Sequence, residues 1–393
     1  MSTLKVDNIR HNSATSDAIT MASDGTCTAK LTSINGGSGL SHRNKAFNGA
    51  MMISQRGTSF DIDTTSTYTL DRFTVVHSGG ITYEVTATQD SSAPDGFRKS
   101  LKLSPDTVET SMSGSENGMI IQNLEGQDLQ DFAFGTSSAK KLTISFYAKS
   151  GSQNNNHQYT LQIRKYDDSN NRNMVNRAFT VTTSWQRYTM TFDGDTAENI
   201  RNDNGLGMQL VWHLATGPSD IHGASTTFGR TVNNSLYSGV TGQSNFLDNT
   251  NNEFYLTGVQ LEVGDTATSF EHRSHGDELL RCHRYYYRET IDNNDFFTGM
   301  GMADIDGNSV ILNIPFPVVM RGTPNLDITG NATDYMIRRS TTLQCTAVPS
   351  IGGASTPRQG VIVFTRSSHG WGDGSAVRCG AWGTSYLGFS AEL

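Results

Sequence analysis

Short runs in which apolar and polar residues alternate recur along most of this chain, and the longest spans Phe254 to Val263. In its sequence, FYLTGVQLEV, Leu256, Gly258 and Gln260 would face one side and the odd-numbered residues the other. This two-residue period predicts a β-strand. Similar runs precede it, separated by clusters of Gly, Asn, Asp and Ser. Many short strands with polar connections predict an all-β protein whose main domain is a two-sheet, jelly-roll-like sandwich.

One helix is predicted directly after this strand. Ser274 can cap its N-terminus, with Asp277 three residues later, and Leu279, Cys282 and Tyr286 would share one face. Beyond the helix, further alternating runs predict a second, smaller β domain. The chain is therefore predicted to contain four segments, which are an N-terminal attachment segment (1–40), a β-sandwich (41–272), a linking helix (273–288) and a C-terminal β domain (289–393).

The N-terminal segment is too poor in apolar residues to fold alone. It contains a short apolar strand and a predicted hairpin over residues 18–29, with Asp24-Gly25 at the turn, followed by a Gly/Ser linker. Because an isolated hairpin is only marginally stable in water, we expect it to pair with its own copies in a trimer or with a docking protein. The residues expected to make these contacts are Leu4, Val6, Ile9, Ile19 and Met21.

The overall composition excludes several functional classes. The net charge is −8 and no long basic run occurs, so no nucleic-acid partner is expected. No apolar stretch is long enough for a signal peptide or a membrane span, so no membrane insertion is expected. None of the four cysteines belongs to a CxxC pair. Buried reduced thiols are the favoured interpretation, and a Cys345–Cys379 bridge is the alternative.

No catalytic motif is recognisable, so the chain is not predicted to be an enzyme. Glu262 and Glu271 could form a carboxylate pair, but capping of turns or an ion pair with Arg273 is the favoured interpretation. The stretch Asp304 to Asn308 carries oxygen ligands, but its glycine comes too early for an EF-hand loop. A hairpin turn is favoured there, no cofactor or metal is predicted, and a structural calcium ion in a sandwich loop remains possible.

Binding of a saccharide requires an aromatic face with polar neighbours. The Gly-rich stretch around Trp371 has this composition, with His369, Asp373 and Arg366 close in sequence. These four residues are the predicted glycan-binding site. Trp185 and Trp212-His213 are alternatives in the main domain, although burial in a core is the favoured interpretation of both tryptophans.

Several strings resemble those of tail-fibre and related virion appendage proteins of tailed bacteriophages, which contain a carbohydrate-binding-module-like sandwich. The strings are FNGAMMISQRGT (47–58), YTLDRF (68–73), APDGF (93–97), LTISFYAKS (142–150), TTSWQRY (182–188), LTGVQLEVGDTATSF (256–270), FPVVMRGTP (316–324) and the final SAEL. The N-terminal LKVDNI and SDG also resemble the attachment segments of such fibres. The resemblance covers residues 45–325 and is largely lost over 330–393.

The resemblance implies a structural virion protein, assembled in the host cytoplasm, that is a homotrimer. Residues 1–40 would join it to other phage tail or capsid proteins, and its β domains would bind host cell-surface glycan, as a tail-fibre adhesin does. Two alternatives remain open at this point. One is a capsid decoration or head-fibre protein, and the other is a glycan-degrading depolymerase.

Overall fold

The computed structural model describes residues 6–10, 19–21, 23–24, 27–29, 42–63, 66–80, 83–169, 172–230, 238–290, 296–328 and 330–393. The fold is all-β, as the alternating pattern predicted. Within these ranges the helical segments are one α-helix and short 3-10 turns, and none is long and apolar enough to cross a membrane. The helical segments are α1 (His275–His283) and 3-10 turns at Gly126–Phe132, Pro218–Asp220, Phe246–Asp248 and Ala332–Asp334.

The N-terminal segment forms a small antiparallel sheet in the order β1-β2-β3. Its strands are β1 (Asn8–Ile9), β2 (Ile19–Met21) and β3 (Cys27–Ala29). The predicted hairpin is therefore present as β2 and β3. Of the predicted contact residues, Ile9 and Met21 are exposed, Val6 and Ile19 are half-buried, and Leu4 lies outside the described residues.

Two antiparallel sheets face each other in the main domain. In chain order the strands are β4 (Ser59–Ile62), β5 (Ser66–Tyr68), β6 (Phe73–Ser78), β7 (Val85–Asp90), β8 (Ser100–Pro105), β9 (Asn117–Glu125), β10 (Leu142–Ser150), β11 (Gln158–Tyr166), β12 (Arg172–Thr180), β13 (Gln186–Phe192), β14 (Leu206–Thr216), β15 (Ile221–His222), β16 (Ser225–Arg230), β17 (Gly239–Val240) and β18 (Phe254–Val263). One sheet has the order β13-β10-β18-β8-β7-β4 and the other β16-β12-β11-β14-β9-β6-β5. A parallel pair, β15-β17, forms a separate two-stranded sheet, and its β17 packs against the seven-stranded sheet.

The core of the sandwich is rich in aromatic rings from both sheets. Trp212 of β14 is fully buried and meets Phe146 of β10 edge-on, with 5.7 Å between ring centroids. Tyr159 and Phe179 pack beside them. Burial of each such side chain stabilises the fold by roughly 1.5–3 kcal/mol, so this layer accounts for much of the cohesion between the sheets.

The alternation predicted along β18 is interrupted by a β-bulge. The first half of the strand buries Phe254 and Leu256, but from Val259 onward the odd-numbered residues face the core. The register with β10 shifts between Ser145 and Tyr147, opposite this change. Gly258 lies at the bulge with a φ of +63°, a backbone conformation that favours glycine. The single-period prediction for this strand was therefore wrong beyond Gly258.

Helix α1 begins where the sequence predicted and ends earlier. The Ser274 side chain accepts a hydrogen bond from the Asp277 N–H at 3.1 Å, which is the predicted cap. The helix stops at His283, whereas it was predicted to continue to residue 288. Tyr286 begins the next strand instead, because aromatic and β-branched residues from 286 to 290 pair with a strand near the end of the chain.

The C-terminal region contains two further antiparallel sheets around a second core. Its strands are β19 (Tyr286–Thr290), β20 (Gly301–Ala303), β21 (Ser309–Pro315), β22 (Asn325–Ile328), β23 (Tyr335–Arg338), β24 (Thr342–Gln344), β25 (Ser350–Ile351), β26 (Gln359–Thr365), β27 (Ala376–Ala381) and β28 (Tyr386–Ser390). The sheet orders are β19-β28-β22 and β24-β23-β27-β20-β21-β26-β25. Cys345 and Cys379 lie in this core as free thiols, so the alternative of a disulfide between them is not realised.

Residues 391–393 join the C-terminal domain to the sandwich. The Glu392 carboxylate pairs with the guanidinium of Arg72, and both side chains are almost fully buried. The main-chain oxygen of Leu393 accepts hydrogen bonds from the Tyr68 hydroxyl and the Asn123 amide, each at 2.8 Å. Because these contacts connect the last residues to three strands or turns of the sandwich, the two domains share one packed interface.

Two cation–π contacts reinforce the same interface. The Arg72 guanidinium lies 3.4 Å from the centroid of the Tyr285 ring, and that of Arg56 lies 3.5 Å from Tyr286. Tyr285 and Tyr286 are fully buried. Tyr285 belongs to the core of the sandwich and Tyr287 packs against the C-terminal core, so the tyrosine run after α1 lies between the two domains.

Candidate functional site

The four residues of the predicted glycan-binding site lie on the loop between β26 and β27. The His369 imidazole is buried and stacks against the Trp371 indole, with 5.2 Å between centroids. Its Nδ1 accepts a hydrogen bond from the Trp371 N–H at 3.2 Å. Trp371 and Arg366 are half-buried and Asp373 is exposed. One face of Trp371 is thus covered by its own loop, and the site remains a prediction.

The alternative aromatic positions differ in burial. Trp212 belongs to the core, and His213 is buried on the outer side of the same strand, 3.3 Å from the Arg164 guanidinium. Burial and that guanidinium hold the pKa of His213 well below its usual value. Trp185 is half-buried on the outer face of the six-stranded sheet, where it meets Tyr255 at 6.1 Å.

A cluster of four rings, absent from the sequence predictions, lies on that same outer face. Phe97 packs against Tyr147, Phe270 and His272, with centroid distances of 5.3, 4.9 and 5.2 Å. The three carbocyclic rings are half-buried and the His272 imidazole is exposed. We call this cluster the aromatic platform. Such partly exposed rings can stack on apolar faces of a ligand.

The bulge in β18 positions the platform. A Cβ atom on Gly258 would lie 2.7 Å from Cδ2 of Tyr147 and 2.9 Å from Cζ of Phe97, so only glycine leaves room for both rings. The Thr257 hydroxyl donates to the main-chain oxygen of Lys99 at 2.8 Å, which fixes the Phe97 loop on the sheet. A glycine inside a strand pattern is a known sign of a bulge or close approach, so this signal was present in the sequence.

Three rings of the platform, Phe97, Phe270 and His272, form one wall of a pocket of about 220 Å³, which we call the aromatic pocket. The other walls come from the turn before β4 and from the start of α1. The lining residues are Asn48, Ala50, Met52, Gly96, Phe97, Arg98, Phe270, Glu271, His272, Arg273, His275 and Glu278. Apolar rings with several charged and amide groups in one concavity are typical of small-molecule sites.

The two carboxylates of the aromatic pocket are engaged by the protein itself. Glu271 accepts the Asn44 N–H at 2.8 Å and lies 3.7 Å from Arg273. Glu278 accepts the Asn48 N–H at 2.6 Å and pairs with Arg273 at 3.2 Å. Partial burial alone would raise the pKa of Glu271, but the Asn44 N–H and the Arg273 guanidinium hold it below its usual value.

Glu262 does not pair with Glu271. Its carboxylate is buried and accepts hydrogen bonds from the Thr268 N–H and hydroxyl, at 2.9 and 2.7 Å, and from the Gln260 amide. The favoured interpretation of the two residues, in which each caps a turn or pairs with Arg273, is therefore confirmed.

A larger cleft of about 780 Å³ adjoins the aromatic pocket and shares Glu271, His272 and Arg273 with it. Arg284 makes a two-point ion pair there with Glu125, with both contacts at 2.7 Å. Exposed Leu280 and half-buried Val318 contribute apolar surface. The pocket and the cleft therefore have a common wall, formed by Glu271, His272 and Arg273.

Two lysines flank Tyr255 on the outer face of the six-stranded sheet, beside the platform. The Lys149 ammonium lies 4.4 Å above the Tyr255 ring, and Lys102 pairs with Glu253 at 2.6 Å on the other side of it. Partial burial would raise the pKa of Glu253, but Lys102 lowers it below its usual value. Lys102 is therefore neutralised by its ion pair with Glu253, whereas the ammonium of Lys149 lies at the surface over the Tyr255 ring.

The turn from Asp304 to Asn308 is held by its own hydrogen bonds. The Asp306 carboxylate accepts from the Asn308 and Ser309 N–H groups at 2.7 and 2.9 Å, which lowers the pKa of Asp306. This is the hairpin turn that the glycine position favoured. In the part of the chain that the structure describes, no three His, Cys, Asp or Glu side chains are grouped to hold a metal ion.

Comparisons with known proteins give structural matches only. The sequence matches no protein-family model and no curated protein. The enzymatically active domain of tailspike protein 4 of bacteriophage CBA120 matches 56% of this chain and 21% of its own, at 13% identity and a TM-score of 0.30. The family 11 carbohydrate-binding module from Clostridium thermocellum, solved with a β-1,3-1,4-mixed-linked tetrasaccharide, matches 55% of this chain and 98% of its own, at 12% identity and a TM-score of 0.27. The xylan-binding domain from Paenibacillus barcinonensis matches 53% and 94%, at 13% identity and a TM-score of 0.26.

Proposed function

We propose that this protein is a non-enzymatic, glycan-binding adhesin of the tail-fibre type, located in a phage virion. The observation that carries the proposal is the aromatic pocket. It combines half-exposed rings, which can stack on the apolar face of a sugar, with amide, imidazole and guanidinium groups, which can bind hydroxyls. The resemblance of residues 45–325 to virion appendage proteins supports the same function.

The N-terminal sheet is the proposed attachment element. Ile9 and Met21 are 47% and 40% exposed, so the sheet presents apolar side chains at its surface. Residues 1–40 would join three copies of the chain to each other and to another virion protein. Three copies of one weak glycan site then raise the avidity without any strong single contact.

The proposed assembly predicts a trimeric mass for the full chain in solution, measured by light scattering. Deletion of residues 1–40 separates two arrangements, because a trimer that becomes a monomer assembles through the N-terminal sheet. A truncated chain that stays trimeric assembles through its β domains. A full-length chain that is monomeric at all concentrations would contradict the proposed assembly.

The glycan site is tested by Phe97→Ala, with Trp371→Ala as the matched variant in the other candidate site. We expect the wild-type protein to bind at least one polysaccharide on an array of bacterial surface glycans. Phe97→Ala is expected to weaken that binding about 5- to 150-fold, because we take the stacking of one ring on a sugar to be worth roughly 1–3 kcal/mol, as it is on a nucleic-acid base.

The Trp371 variant separates the two surfaces. If the proposal is right about the pocket, Trp371→Ala binds as the wild type does. Loss of binding only in Trp371→Ala would move the site to the loop after β26. Absence of binding to every glycan by the wild-type protein would contradict the adhesin function itself, and release of sugar ends would support the depolymerase.

A further inference from the structure

The exposed polar groups that line the aromatic pocket can all donate hydrogen bonds. The Arg98 side chain is exposed, as are the imidazoles of His272 and His275. Among the residues that the structure describes, no carboxylate lies within ion-pair distance of the Arg98 guanidinium. The pocket therefore presents one cation and two imidazoles toward solvent.

The acceptors of the pocket face the protein instead. Glu271 and Glu278 are half-buried, share the Arg273 guanidinium, and each accepts a main-chain N–H from the segment 44–48. A ligand entering from solvent would therefore meet the Arg98 guanidinium before either carboxylate. The chain as a whole has a net charge of −8, so the exposed cation at this pocket differs in sign from the chain's net charge.

Lys149 and Asp95 are charged residues near the aromatic pocket that do not line it. Lys149, two residues from the platform ring of Tyr147, keeps its ammonium at the surface above Tyr255. Asp95 is exposed on the same loop as Arg98 but does not line the pocket. We propose that Arg98 makes the aromatic pocket selective for saccharides that carry a carboxylate, an inference that rests on the proposed glycan-binding function.

The physical basis is the match between guanidinium and carboxylate. The planar guanidinium can donate two parallel hydrogen bonds to one carboxylate, and such charged pairs are about twice as strong as neutral hydrogen bonds. A sugar ring bearing a carboxylate could stack on Phe97 while its charged group reaches the neighbouring residue Arg98. A neutral sugar would retain the stacking and lose the ion pair.

The experiment uses bacterial capsular polysaccharides that contain uronic acids, each before and after chemical reduction of its carboxyl groups to alcohols. Affinities of the full-length protein are measured by calorimetry at low and moderate salt. We expect reduction to weaken binding about 10-fold or more, and added salt to weaken binding of the native polymer only. Arg98→Gln should bind both polymers equally, whereas Asp95→Asn should keep the preference for the native polymer.

The outcomes distinguish the inference from the function on which it rests. Equal binding of native and reduced polymers by the wild-type protein would overturn the carboxylate preference and leave glycan binding intact. A preference that persists in Arg98→Gln would overturn the assignment to Arg98. No binding of either polymer, together with no binding on the array of neutral and acidic glycans, would overturn the proposed function as well.

Discussion

Replacing Glu392 by glutamine is expected to lower the free energy of unfolding by about 3–5 kcal/mol. The change keeps the size of the side chain and removes its charge, so the Arg72 guanidinium stays buried without its counter-ion. Removing one partner of a buried ion pair is costly because the remaining charge has no solvent to stabilise it. Arg56, which lies 3.4 Å from the same carboxylate, would lose its partner as well. Chemical denaturation followed by tryptophan fluorescence measures the change.

Glu253→Gln is the matched control for this prediction. It makes the same substitution in the Lys102–Glu253 pair, where the side chains are 24% and 35% exposed. Pairs that water can reach contribute about 0–1 kcal/mol, so the control should change stability little. Equal, small effects of the two variants would show that the interface does not depend on Glu392. A large effect of Glu392→Gln alone would show that the domain interface depends on the buried Arg72–Glu392 ion pair.

The sequence predicted correctly those parts of the fold that depend on interactions between residues close in the chain. The Asp24-Gly25 signal predicted that β2 and β3 pair as a hairpin, and Ser274 predicted the start of α1, because turn and cap preferences act over a few residues. The end of α1 was missed because it depends on a distant partner. Tyr286 pairs with Ser390, about a hundred positions away, and this pairing competes with continuation of the helix.

The aromatic platform was missed for the same reason. Phe97 and Phe270 belong to loops far apart in sequence, and only the pairing of β8 with β18 brings those loops onto one sheet face. The sequence predictions favoured Trp371 because its polar neighbours are adjacent along the chain. The residues of a single loop can be recognised from the sequence. A site built from three segments can be recognised only when the register of the strands that bring them together is known.

Gly258→Val is expected to destabilise the protein by about 2–5 kcal/mol and to weaken glycan binding by the aromatic pocket. A β-branched residue at a φ of +63° costs about 1–2 kcal/mol in backbone strain. Its side chain would also overlap Tyr147 and Phe97, and such overpacking costs about 1–3 kcal/mol. Phe97 belongs to the pocket wall and can relieve its own overlap only by moving, so binding should fall together with stability. Denaturation and the glycan array measure the two effects.

Gly229→Val is the matched control. It tests whether the loss comes from the strain and overlap at position 258 or from any replacement of a strand glycine by valine. Gly229 lies in β16, has an ordinary φ, and has open space around the position of a Cβ atom. Valine there should change stability by no more than about 0.5 kcal/mol and leave binding unaltered, because it strains no backbone and displaces no ring. If the two variants behaved alike, the bulge would not be what positions Phe97. If Gly258→Val lost stability but kept full binding, the pocket would not depend on the platform, and the glycan site would have to lie elsewhere on the molecule.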